Sequence, residues 1–279
     1  MDKLLTQIKV VRCRKAEELP KLCRLAIECI NQVHASDPQP TLIEHRGRRY
    51  ILFTVGHGKR IKISRPVRAD LYITDPKQIN AVAAEVSDGP WTRGKARDLE
   101  RLIYAVQQSV AVYLDLFHPH AARKVVGTFF EAVIACALNR VSGLAVGSGT
   151  IGIPDVKQSI QTDLGLIRAD KIVLLAATKT STRERLSQPF VQKRILEQAF
   201  AHPPKSILIV IGDVQRTGDS AVQHTFTAGQ FLLYWKYIAA LDGAFYIDVP
   251  PQAETPAFKG RLEPLWKLFD SELATILAK

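Results

Sequence analysis

Cysteine is scarce in this chain of 279 residues: Cys13, Cys23, Cys29 and Cys136 are all it has, and no two form a CxxC pair. That argues against a disulfide framework and a zinc site, and the thiols read as reduced and mostly buried. Long apolar runs are missing too. No stretch approaches ~18 consecutive apolar residues, and MDKLLTQIKVVRCRKAEELP mixes charge into its short apolar run, so neither a membrane span nor a signal peptide is expected. A cytoplasmic location follows as the expectation. Histidine is thin, and the one local pair, His118 and His120 in FHPHAAR, is split by Pro119 and reads as punctuation between helices rather than as a metal site. Internal repeats and low-complexity tracts are absent. The glycine-rich SGLAVGSGTIGIPD contains no GxxxxGK[ST], and no GxGxxG opens a helix after a strand, which discounts a nucleotide-binding loop. Acidic residues are the last shortage: 27 Asp plus Glu face 38 Lys plus Arg, a formal charge of +11. With 47% hydrophobic and 23% charged residues the chain is a folded protein rather than a disordered basic tail, and its partner is expected to be a polyanion.

What is present is organised as alternating helices and strands. Leu22, Leu25, Ile27, Ile30 and Val33 fall close to helical spacing, so LPKLCRLAIECINQV predicts an amphipathic helix that ends at the turn-rich HASDPQP. From Glu44 to Asp70, short β-type runs (YILFTV, RIKIS) alternate with HRGRR, GHGKR and RPVR. Eight basic side chains crowd there: Arg46, Arg48, Arg49, Lys59, Arg60, Lys62, Arg65 and Arg68. They form either a charged, protected strand edge or a track for a phosphate backbone. SDGPWTRGK then separates an N-terminal accessory part, 1–92, expected to touch DNA, from a core, 93–279, with one continuous domain as the alternative. The core opens with two helices, 97–117 and 121–141, and a glycine-rich loop. DLGLI and KIVLLAATK follow as a β-hairpin, then a helix from about 189 to 200, the buried strand SILIVIG, a helix 228–240 and the strand AFYIDV. The class is α/β around a mixed central sheet.

The hairpin sets Asp163 at the start of one strand and Lys179 near the end of its partner, 16 residues on. Folding back at 168–171 brings a carboxylate and an ammonium together at one end of the sheet, where a hydrated divalent cation and a phosphate would fit between them. A hairpin whose ends carry ordinary surface charges is the plain alternative. The segment behind the lysine, Thr-Ser-Thr-Arg183-Glu184-Arg185, tips the balance, because Arg donates twice to guanine O6 and N7 and Glu accepts from cytosine N4. Elsewhere such a triplet is an ordinary solvated helix start.

KTSTRERL is similar to the KTxxRER-type motif of the CCGG/CCNGG-recognising (EcoRII/NgoMIV-like) group of type II restriction endonucleases, in the PD-(D/E)XK nuclease superfamily. The resemblance covers roughly Arg123 to Phe200, by motif order. It implies a PD-(D/E)XK core with a central mixed sheet flanked by helices, beside the N-terminal helical and β accessory part. It also implies that Asp163 and the helix-borne Glu131 of GTFFEAVIACALNR hold metal, with the Thr178 carbonyl as an extra ligand, and that Lys179 acts on water and phosphate. Arg183, Glu184 and Arg185 would be the base readers. Two positions depart from the pattern. Ala177 stands where an acid two before the lysine is usual, which fits this group, but the helix position that should supply the acid instead, 13 after the lysine, is Gln192, a weaker metal ligand; either Gln192 orients water or metal, or Glu197 substitutes. Asp155 forms a literal Pro-Asp pair, yet Asp163 gives the more compact hairpin. The implied protein is a homodimeric endonuclease, with dimers able to pair as tetramers, that uses Mg2+ to cut double-stranded DNA at a palindrome with a CCGG-like core. A cognate DNA methyltransferase is its implied functional partner. The basic segment with Arg93, Lys95 and Arg97 would contact phosphates or flanking bases. A sequence-blind repair or structure-specific nuclease, and a non-enzymatic basic DNA-binding protein, stay open beside it.

Overall fold

The computed structural model describes residues 2–56, 61–154, 156–183 and 185–278. Helix α1 (Lys3–Lys9) starts at Asp2, whose carboxylate accepts from the Leu4 and Leu5 N–H groups and so satisfies two donors the first turn leaves open. In α2 (Leu19–Ala35) the expected apolar stripe is buried. Strand β1 (Gln39–His45) pairs with β2 (Arg48–Val55) around Arg46 and Gly47, both at positive φ, the geometry of a tight two-residue hairpin turn. The strand reaches back into the stretch expected to be all turn; Pro40 is tolerated because β1 is an exposed edge of its sheet. Two short strands, β3 (Lys62–Ile63) and β4 (Val67–Arg68), complete that sheet. Helix α3 (Pro76–Ser87), capped by Asp75, was not foreseen.

Helices α4 (Ala96–Phe117) and α5 (Pro119–Ser142) meet at His118, and Pro119 opens the second at a position where its missing N–H costs nothing. α5 is apolar and long enough to span a bilayer. Its apolar residues are instead buried between α4 and the strands that follow. Those strands are β5 (Ala145–Gly152), β6 (Ser159–Arg168) and β7 (Lys171–Lys179). After them come α6 (Ser187–Ala199), β8 (Lys205–Gly212), the hairpin β9 (Val214–Thr217) and β10 (Ala221–His224), α7 (Ala228–Tyr237), β11 (Gly243–Asp248) and β12 (Leu262–Pro264). The chain closes with α8 (Leu265–Lys267) running through a π-helical turn into α9 (Leu273–Ala278).

The main sheet has the order β12-β11-β8-β7-β6-β5, antiparallel from β5 to β7 and parallel from β7 to β12. Both faces are covered, which explains the unbroken apolar run of β8: Ile207, Ile209 and Ile211 join the core under α4 and α5, whereas Leu208 and Val210 pack with Phe190 of α6 and Phe231 of α7. One apolar cluster runs from Leu4 and α2 through α4 and α5 to Ile276 of α9. The four cysteines are free and buried, and burial pushes their thiols up, that of Cys23 to about 12.

The glycine-rich stretch after α5 is a strand, not the expected loop. Its glycines answer to the strand beside it.

Candidate active site

Strand β6 carries one residue too many for its partner. Gly147 pairs with Gly165 and Gly149 with Thr162, so Asp163 and Leu164 together oppose the single residue Ser148. Such a bulge re-aims a side chain. It lets Thr162 face Gln192 on α6 while Leu164 packs into the core under α5. The backbone of β5 must come very close to allow it: a Cβ on Gly149 would lie 2.8 Å from the carbonyl oxygens of both Thr162 and Leu164. Only glycine fits there.

On the other side β6 pairs with β7 through a turn at Ala169 and Asp170, both at positive φ. The hairpin therefore closes on two residues rather than four, with Arg168 opposite Lys171. That register brings the end of β7 to the bulge. Asp163 Oδ2 accepts from Lys179 Nζ at 2.7 Å and from the Thr178 N–H at 2.7 Å. Both bonds fall on one oxygen, so Oδ1 keeps its lone pairs for the cavity. Glu131, from α5, lines the same cavity. Burial, and after it the Asp163 carboxylate, hold the Glu131 carboxyl above the usual range, against an opposing pull from Arg14, Lys179 and Arg12.

The cavity is open, of about 690 Å³, and is lined by Glu131, Asp163, Thr178, Lys179, Arg183 and Arg185. Arg123 and Lys124 from the first turns of α5, and Gln215 from β9, complete its rim. Arg183 and Arg185 are exposed, and Arg183 Nη1 donates to Gln215 Oε1 at 2.7 Å. Two carboxylates, two ammonium groups and several guanidinium groups thus share one solvent-accessible space, which suits a phosphate diester with a cation. Of the residues expected from the sequence, Gln192 stands apart from this lining: its Nε2 donates to the Gln161 carbonyl at 2.8 Å, and its Oε1 lies 3.5 Å from the Thr162 hydroxyl. Glu197 lies 3.7 Å from Lys193 and 3.8 Å from Arg194. Glu184 and Asp155 lie outside the described residues.

Hard oxygen donors are what a Mg2+ ion needs. Among the described residues no group of three or more His, Cys, Asp and Glu side chains gathers, so the donor set is the pair Asp163 and Glu131 with neutral oxygens. The Thr178 hydroxyl is buried at this site with no hydrogen-bond partner among the described residues. Two mutually repelling carboxylates beside an unsatisfied oxygen fit a divalent cation.

The basic N-terminal segment divides. Arg48 and Arg68 both bind Asp248 Oδ1, at 3.0 and 2.8 Å, and Arg48 also reaches the Val249 carbonyl. Arg65 holds Asp115 through two side-chain bonds of 2.8 and 2.9 Å. Arg97 stacks over Trp266 at 4.1 Å, and Lys95 donates to the Asp88 carbonyl at 2.6 Å. These five side chains bond within the chain, where the sequence reading expected some of them on phosphates. Arg46, Arg49, Lys62 and Arg93 are exposed; Lys59 and Arg60 lie outside the described residues. Sequence reasoning missed Arg123 and Lys124, whose signal was a basic pair in HPHAARK opening a helix, and Gln215, which no local pattern marks.

The architecture is the PD-(D/E)XK-like fold. It is similar to the crystal structure of the type IIP restriction endonuclease Kpn2I, with a TM-score of 0.76 over 100% of this chain and 99% of that one, at 22% identity. The restriction endonuclease PspGI, solved with its substrate DNA, aligns with a TM-score of 0.47 and 13% identity over 73% of this chain and 93% of that one. The sequence matches no protein-family model and no curated protein.

Proposed function

We propose that the protein is a type II restriction endonuclease, a homodimer that cuts double-stranded DNA at a palindrome with a CCGG-like core. The observation that carries the reading is Lys179 held by Asp163 at 2.7 Å at the floor of a cavity ringed by arginines. The fold shared with Kpn2I supports it. In this reading Lys179 keeps two Nζ protons for the incoming strand, one for a non-bridging phosphate oxygen and one for the attacking water. Asp163 fixes the ammonium by taking the third. Glu131, drier and raised, shares with Asp163 and the Thr178 oxygens the task of holding Mg2+. When bound, that ion supplies a water acidic enough to attack at neutral pH. Arg123 and Lys124 attract the backbone without regard to sequence. Arg183 and Arg185 read guanines, and Glu184 accepts from cytosine N4. Gln192 stays in the assignment as a residue that steadies β6 beside Asp163.

Two-fold symmetry suits this chemistry, because each subunit presents one reader cluster to one half-site. A cytoplasmic enzyme of this kind needs its host's own sites masked, so a methyltransferase of the same specificity is its expected partner. The test is digestion of a plasmid of known sequence with Mg2+, followed by run-off sequencing of the ends. Discrete fragments ending at one sequence, abolished by EDTA, are expected. A smear would instead mark a sequence-blind nuclease, and retardation without cutting a DNA-binding protein.

A further inference from the structure

Asp213, at the corner between β8 and β9, is 1% exposed. A buried carboxylate is costly unless every lone pair is used, and here four bonds reach it, all from neutral donors. Oδ1 accepts from the Ser181 hydroxyl at 2.9 Å and the Thr182 N–H at 2.7 Å; Oδ2 accepts from the Thr182 hydroxyl at 2.7 Å and the Tyr246 hydroxyl at 3.2 Å. Three of the four donors belong to the two residues immediately before Arg183. The backbone of Asp213 works on the other flank. Its carbonyl accepts from the Thr225 N–H at 2.8 Å and so closes the mouth of the β9–β10 hairpin, whose Gln215 takes the Arg183 guanidinium.

We infer that Asp213 is a positioning residue for sequence reading: it clamps Ser181 and Thr182 to the end of β8 and thereby fixes the direction in which Arg183 and Arg185 enter the DNA groove. A bidentate arginine contact discriminates only when its fork is held in register with the base edge. An exposed arginine on a free loop would find phosphates instead. The inference rests on the endonuclease reading, and it assigns specificity to a residue that touches no DNA.

The experiment is single-turnover cleavage, by the proposed dimer of this chain, of duplexes carrying the cognate site or one base-pair change in it. Asp213→Asn keeps the shape and one acceptor. It is expected to lower discrimination about 10-fold at the pairs read by Arg183 and Arg185, with a smaller change in the rate on the cognate duplex. Tyr246→Phe removes the one bond that does not involve the reader segment and should leave discrimination unchanged while lowering the melting temperature. Because Asp213 is proposed to act through the arginines, Asp213→Asn combined with Arg183→Ala should discriminate no worse than Arg183→Ala alone at the base pair read by Arg183, while the pair read by Arg185 still loses discrimination. Should Asp213→Asn fail to fold, Thr182→Val, which deletes only the hydroxyl arm, carries the same expectation in smaller measure. Unchanged discrimination in the folded variant, or losses at the Arg183 pair that add in the double variant, would overturn the positioning role and leave the endonuclease standing. If the wild type yields no discrete fragments, both fall together.

Discussion

Asp163 and Asp248 stand on the same sheet, each holds at least one basic side chain, and their surroundings differ in one respect that separates chemistry from architecture. Asp248 is 4% exposed and has both oxygens in use: Oδ1 takes Arg48 and Arg68, and Oδ2 takes the Tyr50 hydroxyl at 3.0 Å. Asp163 is 24% exposed, with both of its bonds on a single oxygen. The first is a closed knot joining β2 and β4 of the N-terminal sheet to the end of β11, across 200 residues of sequence for Arg48. The second is left open toward a cavity. A surplus of positive charge is therefore no single quantity; part of it is neutralised inside the protein and part faces outward.

The widest gap between the two centres should appear when each is emptied. Asp163→Ala or Lys179→Ala is expected to cut DNA cleavage by several kcal/mol of transition-state stabilisation, about 10³-fold, with the melting temperature and specific binding retained in gel-shift assays. Asp248→Ala should do the reverse, costing about 3–5 kcal/mol in denaturant unfolding because two guanidinium groups lose their shared carboxylate. If Asp248→Ala left stability unchanged, the closed-knot description would fail.

A third carboxylate sharpens the contrast. Glu100 is buried and accepts from the Trp266 N–H at 2.9 Å, and burial raises it to about 7, with Arg97 and Arg68 pulling back. An acid raised in the folded state is stabilising in full below the unfolded value of 4.5, and that contribution declines as pH rises toward about 7. Glu100→Gln keeps an acceptor for Trp266 and cannot ionise. It should be more stable than the wild type above pH 7 by on the order of 2–3 kcal/mol, with the difference vanishing below the unfolded value, as read from unfolding curves at several pH values.

The smallest effects divide the arginines themselves. Arg183→Ala should cost about 1–3 kcal/mol at one base pair, whereas Arg49→Ala should weaken binding to every sequence alike and lower the salt slope by about one. An equal loss on all sequences for Arg183→Ala would move it to the phosphate class.

The sequence made the central juxtaposition legible because it is local. Two strands of β type joined by a short turn force Asp163 and Lys179 together whatever the rest of the chain does. Helices α2, α4, α5 and α6 were equally legible from their apolar spacing. What escaped was set by partners far along the chain. Nothing in the run HRGRRY distinguishes Arg48, whose carboxylate is Asp248, from Arg49, which faces water. Asp213 is an unremarked residue after SILIVIG until the Ser181–Thr182 segment is seen to close on it. Helix α3 was missed although Asp75 followed by Pro76 is a helix-start signal. Glycine, depleted from ordinary strands, hid β5.

That last error points to how the active end of this protein can be lost. Gly149 has no side chain to contribute, and no survey of acids, bases or ligands would select it. Yet a single added methyl group would meet two backbone carbonyls at 2.8 Å, and the strand could relieve the clash only by surrendering the extra residue that turns Asp163. The position of the carboxylate is thus inherited from a neighbour that does no chemistry, and a one-carbon change in β5 would disarm the site with every proposed reactive group still in the sequence.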